Sequence, residues 1–376
     1  MKNVKSREKK LHLALYLPSL RGGGAERVMV NLANGFSQRG IKVDLVLANA
    51  EGPYLDDVSS AVEIVDLFSK RVSASLPGLT RYLKKNKPQA MLSTMGHANI
   101  IAILARKLAG MEEKMRLVVR EAITISYDTR KTNKPLGRLI PQLTRFFYPW
   151  ADEIIANSSG SAYDLATLTG LPVDSIHIIA NPIDIDAIRD YGKTFPNHPW
   201  FHSDEYQVIL ATGRLTEQKG FDVLIKAFLL VNKKKPDTRL IILGEGEKRQ
   251  ELNELVKSLG IADKVSLPGF MNNPYSYMNH STLFVLSSRW EGLPNALLEA
   301  LTLGTPIVAT KCPSGPSEIL ENGKYGKLVP VDDYNELANA ILTTLSTPPD
   351  RQTLKARANN FSIDKIVDEC LNILLP

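Results

Sequence analysis

The amino-acid sequence predicts an α/β protein made of two doubly wound parallel-sheet units in tandem. Three observations carry this expectation. Short apolar runs alternate with longer segments of helical period, the alternation restarts once near residue 205, and 376 residues exceed the length at which one hydrophobic core stops growing.

The first series of runs is LHLALYL (11–17), IKVDLVLA (41–48), VEIVDL (62–67), QAMLSTM (89–95), RLVVREA (116–122), EIIANS (153–158) and IHIIAN (176–181). Near-continuous apolar strands are what a sheet covered by helices on both faces requires. Between them lie amphipathic segments such as AERVMVNLANGFSQRG from Ala25, with Gly40 as the stop signal. A turn-rich stretch at 181–204 follows. The second series is then YQVILATG (206–213), RLIILG (239–244), KVSLPG (264–269), TLFVLSS (282–288), PIVAT (306–310) and KLVPV (327–331). The closing FSIDKIVDECLNILL reads as one amphipathic helix. In sheets of this kind ligands bind beyond the carboxyl ends of the strands, so a cleft between two facing units is the expected site.

Composition is that of a globular protein, with 44% hydrophobic and 23% charged residues and no low-complexity tract. Two cysteines, Cys312 and Cys370, offer no metal-ligand spacing and suit a reducing cytoplasm. The longest apolar runs, such as NIIAILA at 99–105, fall short of the roughly 20 residues that span a bilayer. MKNVKSREKK reads as a loose basic tail ahead of the first strand rather than as a cleaved leader. Residues 1–182 hold 25 Lys and Arg against 16 Asp and Glu, whereas residues 183–376 hold 21 against 24. The basic half suits an anionic surface, either phosphorylated substrate or lipid headgroups, although solvated lysines produce the same count.

Three segments could carry chemistry. In PSLRGGGAERV, glycines 22 to 24 let the backbone approach a ligand at a helix start whose free N–H groups favour phosphate. A plain βα turn has the same glycines. The loop is not GxGxxG, although Glu51 after the second strand imitates the ribose-binding acid of a dinucleotide fold. In LATGRLTEQKGF, Arg214 and Lys219 follow the first strand of the second unit, where they can neutralise a diphosphate or merely line a solvated loop. In SSRWEGLPNALLEALTLG, Glu291 lies in the loop after an apolar strand and Glu299 lies within the following helix, which Gly304 ends. Carboxylates accept hydrogen bonds from vicinal hydroxyls, and a sugar nucleotide has two sets, on its hexose and on its ribose. A hydrolytic acid/base pair, or a helix-start acid acting on the macrodipole, remains an alternative.

These segments, with LGEGEKRQELNELVKSLGI, VSLPGF, GTPIVAT, CPSGPSEIL and GKYGKLVPVDD in order, make the chain resemble glycosyltransferase family 4, the retaining family with the two-Rossmann GT-B fold. The resemblance implies a first domain over 1–182 for the acceptor and membrane, a nucleotide-sugar domain over 183–358, and a C-terminal helix over 359–376 crossing back to the first domain. It implies that Arg214 and Lys219, beyond Gly213, hold the donor diphosphate. Glu291 then contacts the donor hexose and Glu299 the ribose, while Gly292, Leu293, Pro294 and Asn295 bring backbone amides to the sugar and diphosphate. Gly269 and Phe270 match the wall of the base pocket, and Gly23 and Gly24 match the glycine loop near the diphosphate. His97 in STMGHAN resembles the active-site histidine near the transferred sugar, and Glu121 resembles the acidic position after strand five, on the acceptor and membrane side. His97, Arg214, Lys219 and Glu291 are thus the implied catalytic set.

The resemblance further implies a cytoplasmic enzyme, with no cofactor and no metal, that moves a hexose or N-acetylhexosamine from a nucleotide sugar, expected to be UDP-linked, to a lipid-phosphate-linked or surface-polysaccharide acceptor. GGGAER and CPSGPSEIL resemble bacterial enzymes that act on undecaprenyl-diphosphate-linked saccharides. Nucleic acid is not an expected partner. The segment 130–150 mixes Arg130, Lys131, Lys134, Arg138 and Arg145 with Phe146, Phe147, Tyr148 and Trp150, a composition suited to peripheral contact with an anionic inner leaflet, with FFYPW also serving as helix and core. A GT-B epimerase, a nucleotide-sugar-binding protein without transfer activity, and an NAD oxidoreductase are the alternatives. The intact charged set argues against a dead enzyme and the missing GxGxxG against NAD.

Overall fold

The computed structural model describes residues 11–130, 139–203 and 205–376, and the side chains of residues 128–130 stand outside that description. The chain forms two compact units. One takes the chain through Asn157, then Ser161–Pro182 and Ile363–Pro376, and the other takes Ser158–Gly160 and Ile183–Ser362.

Every run of the two series becomes a strand. In unit 1 these are β1 (His12–Leu17), β2 (Lys42–Leu47), β3 (Val62–Asp66), β4 (Ala90–Thr94), β5 (Arg116–Glu121), β6 (Glu153–Ala156) and β7 (Ile176–Ile178). They form one parallel sheet in the order β3-β2-β1-β4-β5-β6-β7. Alternate residues feed two cores, because successive side chains point to opposite faces. Leu13, Leu15 and Leu17 join Met29, Phe36, Ile366 and Val367 on one face, while Ala14 and Tyr16 join Leu83, Ala98, Ile101 and Tyr148 on the other. The Gly24–Gln38 helix ends as expected, with Gly40 in the left-handed region at φ 77°.

The last helix starts at Ile363, a few residues beyond the expected 359, and runs to Leu374 as part of unit 1. Gly35 explains its close seat. A methyl group there would lie 2.5 Å from Val367 Cγ2, so only a glycine lets the two helices meet at that point. Arg39 fastens the rim with bonds to Asp364 at 2.9 Å and Asp368 at 2.8 Å.

In unit 2 the strands are β8 (Gln207–Thr212), β9 (Thr238–Leu243), β10 (Val265–Gly269), β11 (Leu283–Leu286), β12 (Ile307–Thr310) and β13 (Lys327–Val329), all parallel, in the order β10-β9-β8-β11-β12-β13. Each sheet therefore reverses its strand order once, at β1/β4 and at β8/β11. Connections leave in opposite directions at such a point and open a crevice at the strands' carboxyl ends. The segments that open there are the glycine loop and Met95–His97 in unit 1, and Gly213–Lys219 and Ser287–Glu291 in unit 2.

Candidate active site

Unit 2 brings a lysine and a carboxylate together at its switch point. Lys219 ends a tight turn over Glu217–Lys219, between β8 and the Phe221–Lys234 helix. That turn docks on the loop after β11 through four bonds: Ser287 Oγ donates to Lys219 O at 2.8 Å, Arg289 N to Gln218 O at 2.7 Å, Gln218 Nε2 to Trp290 O at 2.9 Å and Arg289 Nη1 to Glu217 O at 2.8 Å. Gly220 permits the approach. Its φ is 61°, and a methyl group there would sit 2.2 Å from Ser287 O. The stem of Lys219 then crosses Gly213, where a methyl group would stand 3.0 Å from Lys219 Cε.

The outcome is an ion pair of 2.6 Å between Lys219 Nζ and Glu291 Oε1, with Ser288 Oγ donating to the same oxygen at 2.6 Å. Glu291 is only 6% exposed. Its backbone is clamped by the loop after β12: Glu291 N donates to Pro313 O at 2.7 Å and Ser314 N to Glu291 O at 3.1 Å. Gly292, Leu293 and Pro294 are buried behind it, with Gly315 at φ 97° so close that a methyl group would lie 2.6 Å from Gly292 O. Burial, and then the charge of Glu291, push the neighbouring Cys312 thiol up to about 12, so it stays a neutral packing group.

Asn295 opens the Asn295–Leu303 helix and Glu299 lies half-buried on its second turn. Arg214 is exposed beyond the end of β8, so of the expected basic pair it is Lys219 that touches the acidic element. Gly269 ends β10 at φ 101°, and a methyl group there would lie 2.8 Å from Glu245 Oε1. Arg249 holds that Glu245 carboxylate at 2.7 and 2.8 Å, and Phe270 is 60% exposed alongside.

In unit 1 the glycine loop is braced rather than slack. Leu20 N donates to Glu51 O at 2.9 Å, Arg21 pairs with Glu51, and Arg27 pairs with Asp57 at 2.8 Å while lying 3.8 Å from the centre of the Tyr54 ring. Glu51 is therefore taken up by Arg21, which is not the arrangement the dinucleotide reading needs. Gly23 precedes the first helical turn and Gly24 begins it, with the Glu26 carboxylate folded back over Gly23.

Across the switch point, Met95 takes φ 73°, a conformation that bulky residues adopt only under constraint, and Gly96 and His97 open the Gly96–Ala109 helix. The His97 ring reaches solvent, yet the protein around it removes enough hydration to lower its pKa below the usual imidazole value. Glu121, at the end of β5, is buried with Tyr148 Oη donating to its Oε2 at 2.7 Å and Ala122 N to its Oε1 at 3.2 Å. Burial pushes its carboxyl up to about 7.

The sequence comparisons follow this layout. The "Glycosyltransferase Family 4" model matches residues 22–187 and the "Glycosyl transferases group 1" model residues 197–361. The N-acetylgalactosamine-N,N'-diacetylbacillosaminyl-diphospho-undecaprenol 4-alpha-N-acetylgalactosaminyltransferase of Campylobacter jejuni is 31% identical over 96% of this chain and 99% of its own. The chain belongs to glycosyltransferase family 4. The lipopolysaccharide core biosynthesis glycosyltransferase LpsE of Rhizobium meliloti is also similar, at 25% identity over 94% of this chain and 96% of its own. Among solved structures, Anabaena HepE in complex with UDP-glucose shares the fold at a TM-score of 0.77 and 22% identity, over 96% of this chain and 99% of its own.

Several expected residues of this family 4 glycosyltransferase do not join either set. Lys131, Lys134 and Arg138 fall outside the described residues, as does the side chain of Arg130. Arg145 is exposed on the Ile140–Phe147 helix. FFYPW divides: Tyr148 is fully buried, whereas Phe146 is 60% exposed and forms a ring cluster with Phe147 and Trp150 at 5.0–5.2 Å. Among the described residues no three His, Cys, Asp or Glu gather as metal ligands, and no helix is long and apolar enough to cross a membrane.

Some contributions escaped sequence reasoning, among them the buried hydroxyl of Tyr148, whose residue was named only as an aromatic of FFYPW. Ser288 had a signal, being a hydroxyl three residues before Glu291 at the strand end. Tyr148, Asn99 and the Glu245–Arg249 pair had none, because their partners are distant in sequence or ordinary surface charges in pattern.

Proposed function

We propose that this glycosyltransferase moves a hexose or N-acetylhexosamine from a UDP-sugar to a lipid-linked glycan, with retention of the donor's anomeric configuration and without a metal ion. The observation that carries the reading is the Lys219–Glu291 pair, a cation and a sugar-binding acid fixed together at the switch point of unit 2. The Campylobacter relative, named for a diphospho-undecaprenol acceptor, and HepE, solved with UDP-glucose, supply the substrate classes.

In the proposed step, the bond between the sugar's anomeric carbon and the diphosphate oxygen breaks and its electron pair passes to that oxygen. The acceptor hydroxyl bonds to the anomeric carbon from the same face and gives its proton to the departing phosphate oxygen. Charge grows on the diphosphate in the transition state, and Lys219 and Arg214 stabilise it there. Glu291, held by Lys219 and Ser288, accepts from hexose hydroxyls, and Glu299 accepts from the ribose. His97 serves the transferred sugar from unit 1. Neutralisation by ammonium and guanidinium groups supplies what a divalent cation otherwise would.

The donor test is direct. UDP should raise the apparent melting temperature in proportion to the logarithm of its concentration, by about 2.7 kcal/mol of stabilisation at a hundred times its Kd, and Glu299→Ala should lose most of that shift. Radiolabelled UDP-hexoses and UDP-N-acetylhexosamines, with undecaprenyl-diphosphate saccharides as acceptors, then identify the transferred sugar. Absence of any shift from UDP or UDP-sugars at millimolar concentration overturns the reading.

The reading extends to peripheral attachment at an anionic membrane. Supporting it are the exposed Phe146 and Trp150, Arg145 beside them, and Lys107 Nζ 4.2 Å from the centre of the Trp150 ring, all in the basic half of the chain. The protein should sediment with phosphatidylglycerol vesicles at low salt and not with phosphatidylcholine vesicles, and Phe146→Ser should weaken that binding severalfold. Equal behaviour with both vesicle types refutes it.

A further inference from the structure

Behind His97 lies a buried hydrogen-bonded strut that the reaction as described does not use. It begins at Asn99, fully buried in the first turn of the Gly96–Ala109 helix, whose Nδ2 donates to Arg120 O at 3.1 Å and to Tyr148 Oη at 2.9 Å. Tyr148, itself 0% exposed, donates to Glu121 Oε2. The strut passes directly under the helix start: a methyl group on Gly96 would lie 3.7 Å from Glu121 Oε2 and 3.8 Å from the Tyr148 hydroxyl. Three elements are tied at one point, namely the end of β5, the turn after the Ile140–Phe147 helix, and the residues that carry His97.

We propose that Glu121, acting through Tyr148 and Asn99, is a positioning residue for glycosyl transfer, holding the first turn of the Gly96–Ala109 helix and therefore His97 in one arrangement when ionised and releasing it when protonated. The inference rests on the reading of His97 as a group that serves the transferred sugar.

Donor and acceptor counting explains why protonation changes the hold. Both oxygens of Glu121 already accept, Oε2 from Tyr148 and Oε1 from Ala122 N. A proton on Oε2 turns that oxygen into a donor and forces the Tyr148 hydroxyl to turn its own hydrogen away, whereas a proton on Oε1 leaves Oε2 a neutral oxygen that accepts from Tyr148 more weakly than a carboxylate does. Either way the Tyr148–Glu121 bond of the strut is weakened, at a buried point where water cannot replace it. Among the described residues, Tyr148 and Arg120 are the titratable groups that act on Glu121. Tyr148 is held neutral, its pKa raised well above 10 by burial and then by Glu121 itself. Arg120, buried on the other face of β5, is lowered to about 10 and so stays charged. His97 lies one residue beyond Gly96. With its carboxyl at about 7, Glu121 divides between the two forms near neutrality.

Histidine-labelled full-length protein gives a test that needs no donor or acceptor. His97→Gln assigns the His97 ring signals by nuclear magnetic resonance. In the wild type these signals should show two inflections with pH, one from the ring itself and one near 7 from Glu121. In Glu121→Gln, an uncharged carboxyl isostere, the second inflection should vanish while the ring's own inflection remains, and below both inflections the signals should match those of the wild type. Tyr148→Phe keeps the carboxyl but cuts the strut, so the second inflection should shrink severalfold. Identical His97 titrations in wild type and Glu121→Gln overturn the proposal, as does an inflection near 7 that survives in that variant. Coupling seen by resonance, together with a His97→Gln enzyme of full activity, overturns the role in transfer and separates that failure from a failure of the strut.

Discussion

Lys219→Ala should lower glycosyl transfer about 10²- to 10³-fold, the loss expected when one preorganised charge donor is taken from a developing anion. The same substitution should also destabilise unit 2. Glu291 is 6% exposed, and Lys219 is the cation bonded to its Oε1. Removing one partner of a buried pair leaves an uncompensated charge, which costs about 3 kcal/mol or more, although Ser288 still donates to the carboxylate. A loss of activity alone would therefore be ambiguous between chemistry and folding.

Two further variants resolve it. Lys219→Met combined with Glu291→Gln removes both charges at similar volume, and should regain most of the lost stability in urea while leaving transfer at the level of the single variant. Arg214→Ala changes an exposed side chain, so its stability should stay within about 0.5 kcal/mol while transfer falls at least tenfold. If the double variant recovered turnover along with stability, Lys219 would be a structural residue and the charge-neutralising role assigned to it would be wrong.

How far the sequence carried these conclusions depends on the range of the interactions involved. The thirteen strands were legible because a sheet buried on both faces writes itself as a continuous apolar run, and QVILAT or TRLIIL cannot hide that requirement. Glu291 and Lys219 were legible as residue types at strand ends. That they touch was not, because their meeting depends on Gly213 yielding space to a lysine stem and on Gly220 letting one turn settle on Ser287, a contact between residues 68 apart in the chain. Arg214 shows the converse. It occupies the right position by pattern, yet two residues past the strand end its side chain turns to solvent. FFYPW could be recognised as aromatic and partly buried, but a short helix followed by a tight turn decides which ring goes inside, and the one chosen, Tyr148, supplies the hydroxyl that reaches Glu121.

Glu121 sets the second large effect, on stability rather than rate. Its carboxyl is raised from an ordinary 4.5 to about 7, with burial as the main cause. The folded state therefore holds the proton more tightly than the unfolded chain does. The stability this difference provides is complete below about pH 4.5 and disappears as pH rises through 7. At about 1.4 kcal/mol per pKa unit, the wild type should lose about 3 kcal/mol relative to Glu121→Gln between those limits. Referring every measurement to Glu121→Gln cancels groups that titrate the other way, such as Asp44, whose pKa is lowered by its bonds to His12 and Tyr82 against the opposing effect of burial. Urea denaturation at half-unit steps from pH 4.5 to 8.5 gives the difference curve, and a flat or rising curve sinks the assignment. Tyr148→Phe should move the midpoint of that curve upward, since it withdraws a donor from the ionised form. Ionising Glu121 thus costs stability as pH rises through 7, so the fold gives up stability to keep its helix start in place, as expected where a strained Met95 and a buried charge meet.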